Sequence, residues 1–148
     1  MRVTLRNPKQ GVSDKEIAAL EARLGARLPE DYKAFLGIHN GSVPETNVFK
    51  VNAVRDSGVN QFIPFKDLLR QRALVADAPA GKTLPIAWAE GGNLVCLDLR
   101  NGDAILFWDH EDPEHPTLLA RGFDRFVELL HPFDVLSMKL KPGRVRRP

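Results

Sequence analysis

Carboxylates and imidazoles crowd one short stretch of this 148-residue sequence, Asp109-His110-Glu111-Asp112-Pro113-Glu114-His115. Such groups at close spacing bind divalent metals or exchange protons with a substrate, so chemistry is sought here first. A helical zinc site of the H-E-x-x-H form needs two histidines four residues apart on one helix face. Here His115 follows His110 by five residues and Pro113 interrupts any helix, so that pattern fails. The stretch reads more simply as an exposed acidic loop at a strand end. From Asn101 to Ala120 the acids Asp103, Asp109, Glu111, Asp112 and Glu114 meet no Lys or Arg. A patch of that kind suits a basic protein surface, since complementary potentials speed encounter and exclude wrong partners. The candidate partner-binding residues are therefore Asp109, His110, Glu111, Asp112 and Glu114, with no catalytic, cofactor or metal residue assigned.

Other chemistry finds little support. Cys96 has no activating neighbour in sequence and reads as a small buried hydrophobe. Ser13, Ser42, Ser57 and Ser137 lie in no nucleophile-elbow motif. Gly91-Gly92 lacks a Walker lysine and joins strand to strand, so it is no phosphate loop. Tyr32 and His39 fall on the apolar stripe of a helix, where core or boundary positions are expected.

The elements that must position the acidic loop are readable from local signals. Ser13-Asp14-Lys15-Glu16 is a capping box, Ile17, Leu20 and Leu24 recur at helical spacing, and Gly25 supplies a left-handed stop, which predicts a helix over residues 14 to 24. Pro29 suits the first position of a second helix carrying the stripe Tyr32, Phe35, Leu36 and His39 and stopping at Asn40-Gly41. The two form an αα-hairpin. Short β runs follow at residues 48 to 51 and 59 to 63, then a helical pattern over about 66 to 77.

From Leu84 to Trp108 the pattern is a β-meander. Asn101-Gly102 predicts a two-residue turn that pairs Leu99 with Ala104, Leu97 with Leu106 and Val95 with Trp108. A loop at Glu90-Gly91-Gly92-Asn93 then pairs Trp88 with Val95 and Ile86 with Leu97. This register puts Trp88 and Trp108 on the core face and leaves Ile105 and Phe107 on a mixed face with Leu94 and Cys96. Thr117 to Ala120 gives one more strand, and Phe123, Phe126, Val127 and Leu130 a closing helix. The fold class is α+β: a mainly antiparallel sheet with helices packed on one face, an N-terminal αα-hairpin and a C-terminal closing helix.

Composition, with 43% hydrophobic and 27% charged residues, is that of an ordinary globular chain. A single cysteine permits no internal disulfide, and no apolar stretch approaches the roughly 18 residues of a membrane span or forms a signal-peptide core. A cytoplasmic, membrane-free protein is expected. Residues 10 to 138 hold 13 Lys and Arg against 19 Asp and Glu, whereas both ends are basic. Residues 1 to 138 read as one domain, and residues 139 to 148 as a basic flexible tail, without the interleaved aromatics that nucleic-acid binding favours.

Three pieces, LEARLGARLPEDYKAFLGIHNG, LPIAWAEGGNLVCLDLRNGDAILFWDHE and GFDRFVELL, cover most of residues 13 to 130 in an order that resembles the SUKH superfamily, which includes the yeast cell-wall assembly regulator. The resemblance implies a small cytoplasmic module. In bacteria such modules commonly act as immunity proteins that neutralise a polymorphic or contact-dependent toxin by direct binding; in eukaryotes they look like regulatory scaffolds. No shared catalytic set and no cofactor go with it. The expectation is thus a non-enzymatic immunity protein whose partner is a toxin domain. Two alternatives stand beside it: a regulatory interaction module without a toxin partner, and a metal-dependent enzyme centred on Asp109, His110 and Glu111. An uncovered sheet face or edge also leaves room for a homodimer.

Overall fold

The computed structural model describes residues 3–75 and 82–133. The expected basic tail at 139–148 lies outside them. Helix α1 runs Asp14–Leu24, starting and stopping where the capping signals place it. Ser13 Oγ accepts the Glu16 N–H at 3.2 Å, the Glu16 carboxylate accepts the Ser13 N–H at 3.1 Å, and Gly25 closes the helix at φ 68°. Helix α2 runs Glu30–His39, with Pro29 one place ahead of the first turn rather than in it. Its end is fixed by Asn40, whose buried amide donates to Gln10 O and accepts the Phe65 N–H, both at 2.8 Å.

Strands β1 (Leu5–Arg6) and β2 (Val43–Pro44) form a small separate pair. Six strands make the main sheet in chain order: β3 (Val48–Asn52), β4 (Arg55–Phe62), β5 (Thr83–Ala89), β6 (Leu94–Asp98), β7 (Ala104–Trp108) and β8 (Thr117–Arg121), every neighbour antiparallel. The helix expected over 66 to 77 is a short α3 (Leu68–Arg72) between two 3-10 turns, Phe65–Asp67 and Ala73–Val75. Leu68 is buried there, but Leu74 is 59% exposed. Helix α4 (Phe123–Glu128) closes the described chain.

Ile17, Leu20 and Leu24 of α1, Tyr32, Phe35 and Leu36 of α2 and Phe123, Phe126 and Val127 of α4 pack on one face of the sheet. Aromatic edges meet faces across that interface: Phe35 lies 4.8 Å from both Phe62 and Phe123, and Phe49 lies 5.5 Å from Phe126 and 5.9 Å from Phe107. Each such pair adds about 0.5–1.5 kcal/mol beyond the area it buries.

The strand register differs from the one expected. Val95 pairs with Phe107, Cys96 with Leu106, Leu97 with Ile105 and Asp98 with Ala104, one residue away from the register that an Asn101-Gly102 turn dictates. Asp98 is the cause. Its carboxylate accepts the Arg100 N–H at 3.0 Å and binds the Arg100 guanidinium, while its carbonyl accepts the Asn101 N–H at 3.1 Å. A second turn follows, Asn101 O to the Ala104 N–H at 2.7 Å, and Gly102 keeps a negative φ. Local side-chain bonding of this kind outcompetes the two-residue turn. The β5–β6 loop sits at Glu90–Asn93 as expected, but with Gly91 and Gly92 at φ 72° and 81° it pairs Trp88 with Leu94 and Ala87 with Val95. An irregularity between Pro85 and Ala87 then restores Leu84 to the core opposite Leu97.

A one-residue slip exchanges sheet faces. Ile105 and Phe107 therefore enter the main core, against expectation. Trp88 and Trp108, expected in that core, are half-buried and pack with Val75, Leu94 and Cys96 in a second cluster, although Trp88 also touches the first. Trp88 Nε1 donates to Gln71 Oε1 at 3.0 Å, which ties α3 to β5.

This register makes an ordered prediction for stability. Phe107→Ala should cost about 3–5 kcal/mol, and Leu106→Ala, half-buried on the other face, about 1 kcal/mol. Urea unfolding at constant m-value measures both. The opposite order would contradict the register.

Candidate functional site

β4 starts four residues before its first partner on β5, so the β3–β4 turn reaches past the end of that strand toward two other loops. The β3–β4 turn at Ala53-Val54, the loop Glu90–Asn93 and the loop Asp109–Pro116 thus share one end of the sheet. Six acids gather there, Asp56, Glu90, Asp109, Glu111, Asp112 and Glu114, with two cations, Lys50 and Arg55. Val54 projects from the turn, 84% exposed.

Two anchors hold the acidic loop. Arg55 Nη1 donates to Asp109 Oδ2 at 2.8 Å, and the same guanidinium lies 5.2 Å from the centre of the Phe107 ring. Asn93, buried, offers its Oδ1 to both the backbone N–H and Nδ1 of His110, at 3.1 and 2.8 Å, which fixes His110 with its proton on Nδ1. Beyond these anchors the loop folds on itself. Asp109 Oδ1 accepts the Glu111 N–H, Asp109 O the Asp112 N–H and Asp112 O the His115 N–H. Asp112 also contacts His115 Nδ1 at 2.8 Å. The Arg55 guanidinium, helped by the Glu111 N–H, holds the Asp109 carboxyl below its ordinary range. The Asp112 carboxylate raises His115.

The five candidate residues therefore divide by role. Asp109, half-buried, is bonded to Arg55, and His110, though exposed, to Asn93, whereas Glu111, Asp112 and Glu114 are exposed with side chains outside these two anchors. The two histidines are turned to different partners, and among the described residues no three His, Cys, Asp or Glu side chains converge to hold a metal ion. Burial pushes the Cys96 thiol and the Tyr32 phenol far up, which keeps both in their unreactive protonated forms.

Sequence reasoning missed Arg55, Val54, Glu90 and Asn93 as members of this end. Arg55 is 54 positions from Asp109 and lies in an apparently plain polar stretch. The one local hint was Gly58: a Cβ there would lie 2.9 Å from the Glu90 carboxylate and 3.1 Å from the Asn47 amide, so glycine lets the β5–β6 loop fold over β4.

The fold is thus an αα-hairpin laid over a six-stranded antiparallel meander, with polar loops gathered at one end. The family model described as SMI1 / KNR4 family (SUKH-1) matches residues 11–129, and the chain belongs to that family. A curated relative, the SPbeta prophage-derived uncharacterized protein YokK of Bacillus subtilis (strain 168), is 30% identical over 141 residues, covering 78% of this chain and 72% of its own. No described helix is long and apolar enough to cross a membrane.

The Arg55–Asp109 pair predicts a pH signature. Because the folded-state pKa of Asp109 is lowered, the pair contributes stability above the ordinary carboxylate pKa of about 3.9 and loses it as pH falls through the depressed value. Arg55→Ala should cost about 0.5–1 kcal/mol near neutral pH, since the pair is half-exposed, and the gap to the parent should narrow below about pH 3.5. A gap that does not change across this window would refute the assignment. Thermal unfolding of both proteins from pH 2.5 to 7 reads it.

Proposed function

We propose that this chain is a cytoplasmic immunity protein that neutralises a bacterial toxin by binding it directly, without catalysis. The observation that carries the reading is the acidic loop: Glu111, Asp112 and Glu114 are exposed on a turn whose base is tied down by Arg55 and Asn93. A pre-ordered acidic surface meets a basic toxin, such as a nuclease domain, with little ordering entropy left to lose. Membership of the SUKH-1 family supports the same reading. A regulatory module with a non-toxin partner uses the same surface and differs only in what binds it.

The experiment pairs the chain with candidate toxin domains, beginning with any encoded beside its gene. Co-expression should restore growth, and the purified partners should form a complex. Glu111→Lys with Glu114→Lys should slow association about 10-fold or more at low salt, and much less at high salt. Asp109 is left intact because it holds the loop. A binding partner that is not a toxin would move the reading to regulation. Association rates equal to the parent's at every salt concentration would remove the acidic loop from the interface.

A further inference from the structure

A second surface lies at the far end of β4, about 25 Å away by the rise of an eight-residue strand. There α1 faces the 3-10 turn Phe65–Asp67 and α3, and two depressions of about 270 and 300 Å³ meet at Glu16, Phe65 and Lys66. The floor is apolar, built from Ala19, Leu20, Phe65 and Leu69. The rim is basic. Lys9, Arg23 and Lys66 line it, all exposed, and none has an ion pair among the described residues. Glu16, the acid beside them, is already engaged by the N–H and hydroxyl of Ser13 as the cap of α1. Glu16 keeps its charge in those bonds, so three cations face one carboxylate, and the rim is net positive on a chain that is otherwise acidic, 16 Lys and Arg against 19 Asp and Glu over residues 1 to 138.

We propose that this groove docks an acidic amphipathic protein segment, separately from the acidic loop. Apolar side chains of the segment fill the trough over Leu20 and Leu69, and its carboxylates face Lys9, Arg23 and Lys66. Charge complementarity decides the occupant. A purely apolar partner leaves three cations desolvated at its rim with only Glu16 as counter-charge. A nucleic-acid strand suits the cations but finds an aliphatic floor with Phe65 half-buried, where base binding wants open aromatic faces. A helix or strand with apolar residues flanked by Glu or Asp satisfies both features.

The probe is a fluorescein-labelled peptide of about 14 residues with Leu at i, i+3, i+4 and i+7 and Glu on the flanks, titrated with the full chain and read by anisotropy. Saturable binding is expected, weakening about ten-fold between low and moderate salt. Lys9→Glu, Arg23→Glu and Lys66→Glu together should abolish it with the circular dichroism melt retained. Ala19→Trp, which fills the trough without changing charge, should also abolish it and serves if the triple variant misfolds. Glu111→Lys with Glu114→Lys should leave peptide binding intact, so the outcome is independent of the toxin reading. Absence of binding, equal binding of the Ala19→Trp protein, equal binding of a Lys-for-Glu peptide, or tighter binding of single-stranded DNA of similar length would each overturn the proposal.

Discussion

The register between β6 and β7 is the constraint on which the rest depends. All five residues of β6 are buried, so hydrophobic alternation does not choose between registers there. The choice falls to the turns at its two ends: Asp98 bonding forward to Arg100 and Asn101, and Gly91 and Gly92 with positive φ. Once it is made, Phe107 faces the main core, where Arg55 stacks on it, and Asp109, two residues on, meets the same guanidinium. In the slipped register Trp108 takes that place and Asp109 falls on the other face. The display of the acidic loop is thus a consequence of a turn on the opposite end of the sheet.

This explains which parts of the structure were legible in the sequence. Helix α1 was readable to the residue because its determinants are local: Ser13 and Glu16 sit three apart and Gly25 follows directly. The order of the β-meander was readable for the same reason. Its register was not, because Asn101-Gly102 is a strong signal by itself and Asp98 becomes stronger only with Arg100 folded back on it. The pair β1–β2 has two residues in each strand and no pattern to detect. The candidate loop was visible as a charge run, but the division between anchoring and exposed members was not. That division depends on Arg55 and Asn93, which reach the loop from distant parts of the chain.

Charge is segregated in space as well as along the chain. One end of β4 carries the acidic loops and the other the basic-rimmed groove, with the aromatic core between them. Each surface rests on a fixed element, the acidic one on an ion pair and a buried amide, the basic one on a capped helix.

The central claim is that a protein partner binds at the loop held by Arg55 and Asn93. Amide hydrogen exchange by mass spectrometry, on the chain alone and in complex with the protein partner that co-purifies with it, tests it most directly. The account predicts slowed exchange over residues 110–115, together with the neighbouring turns at Val54 and Gly91-Gly92. Unchanged exchange over 110–115, with protection elsewhere in the same complex, would contradict it.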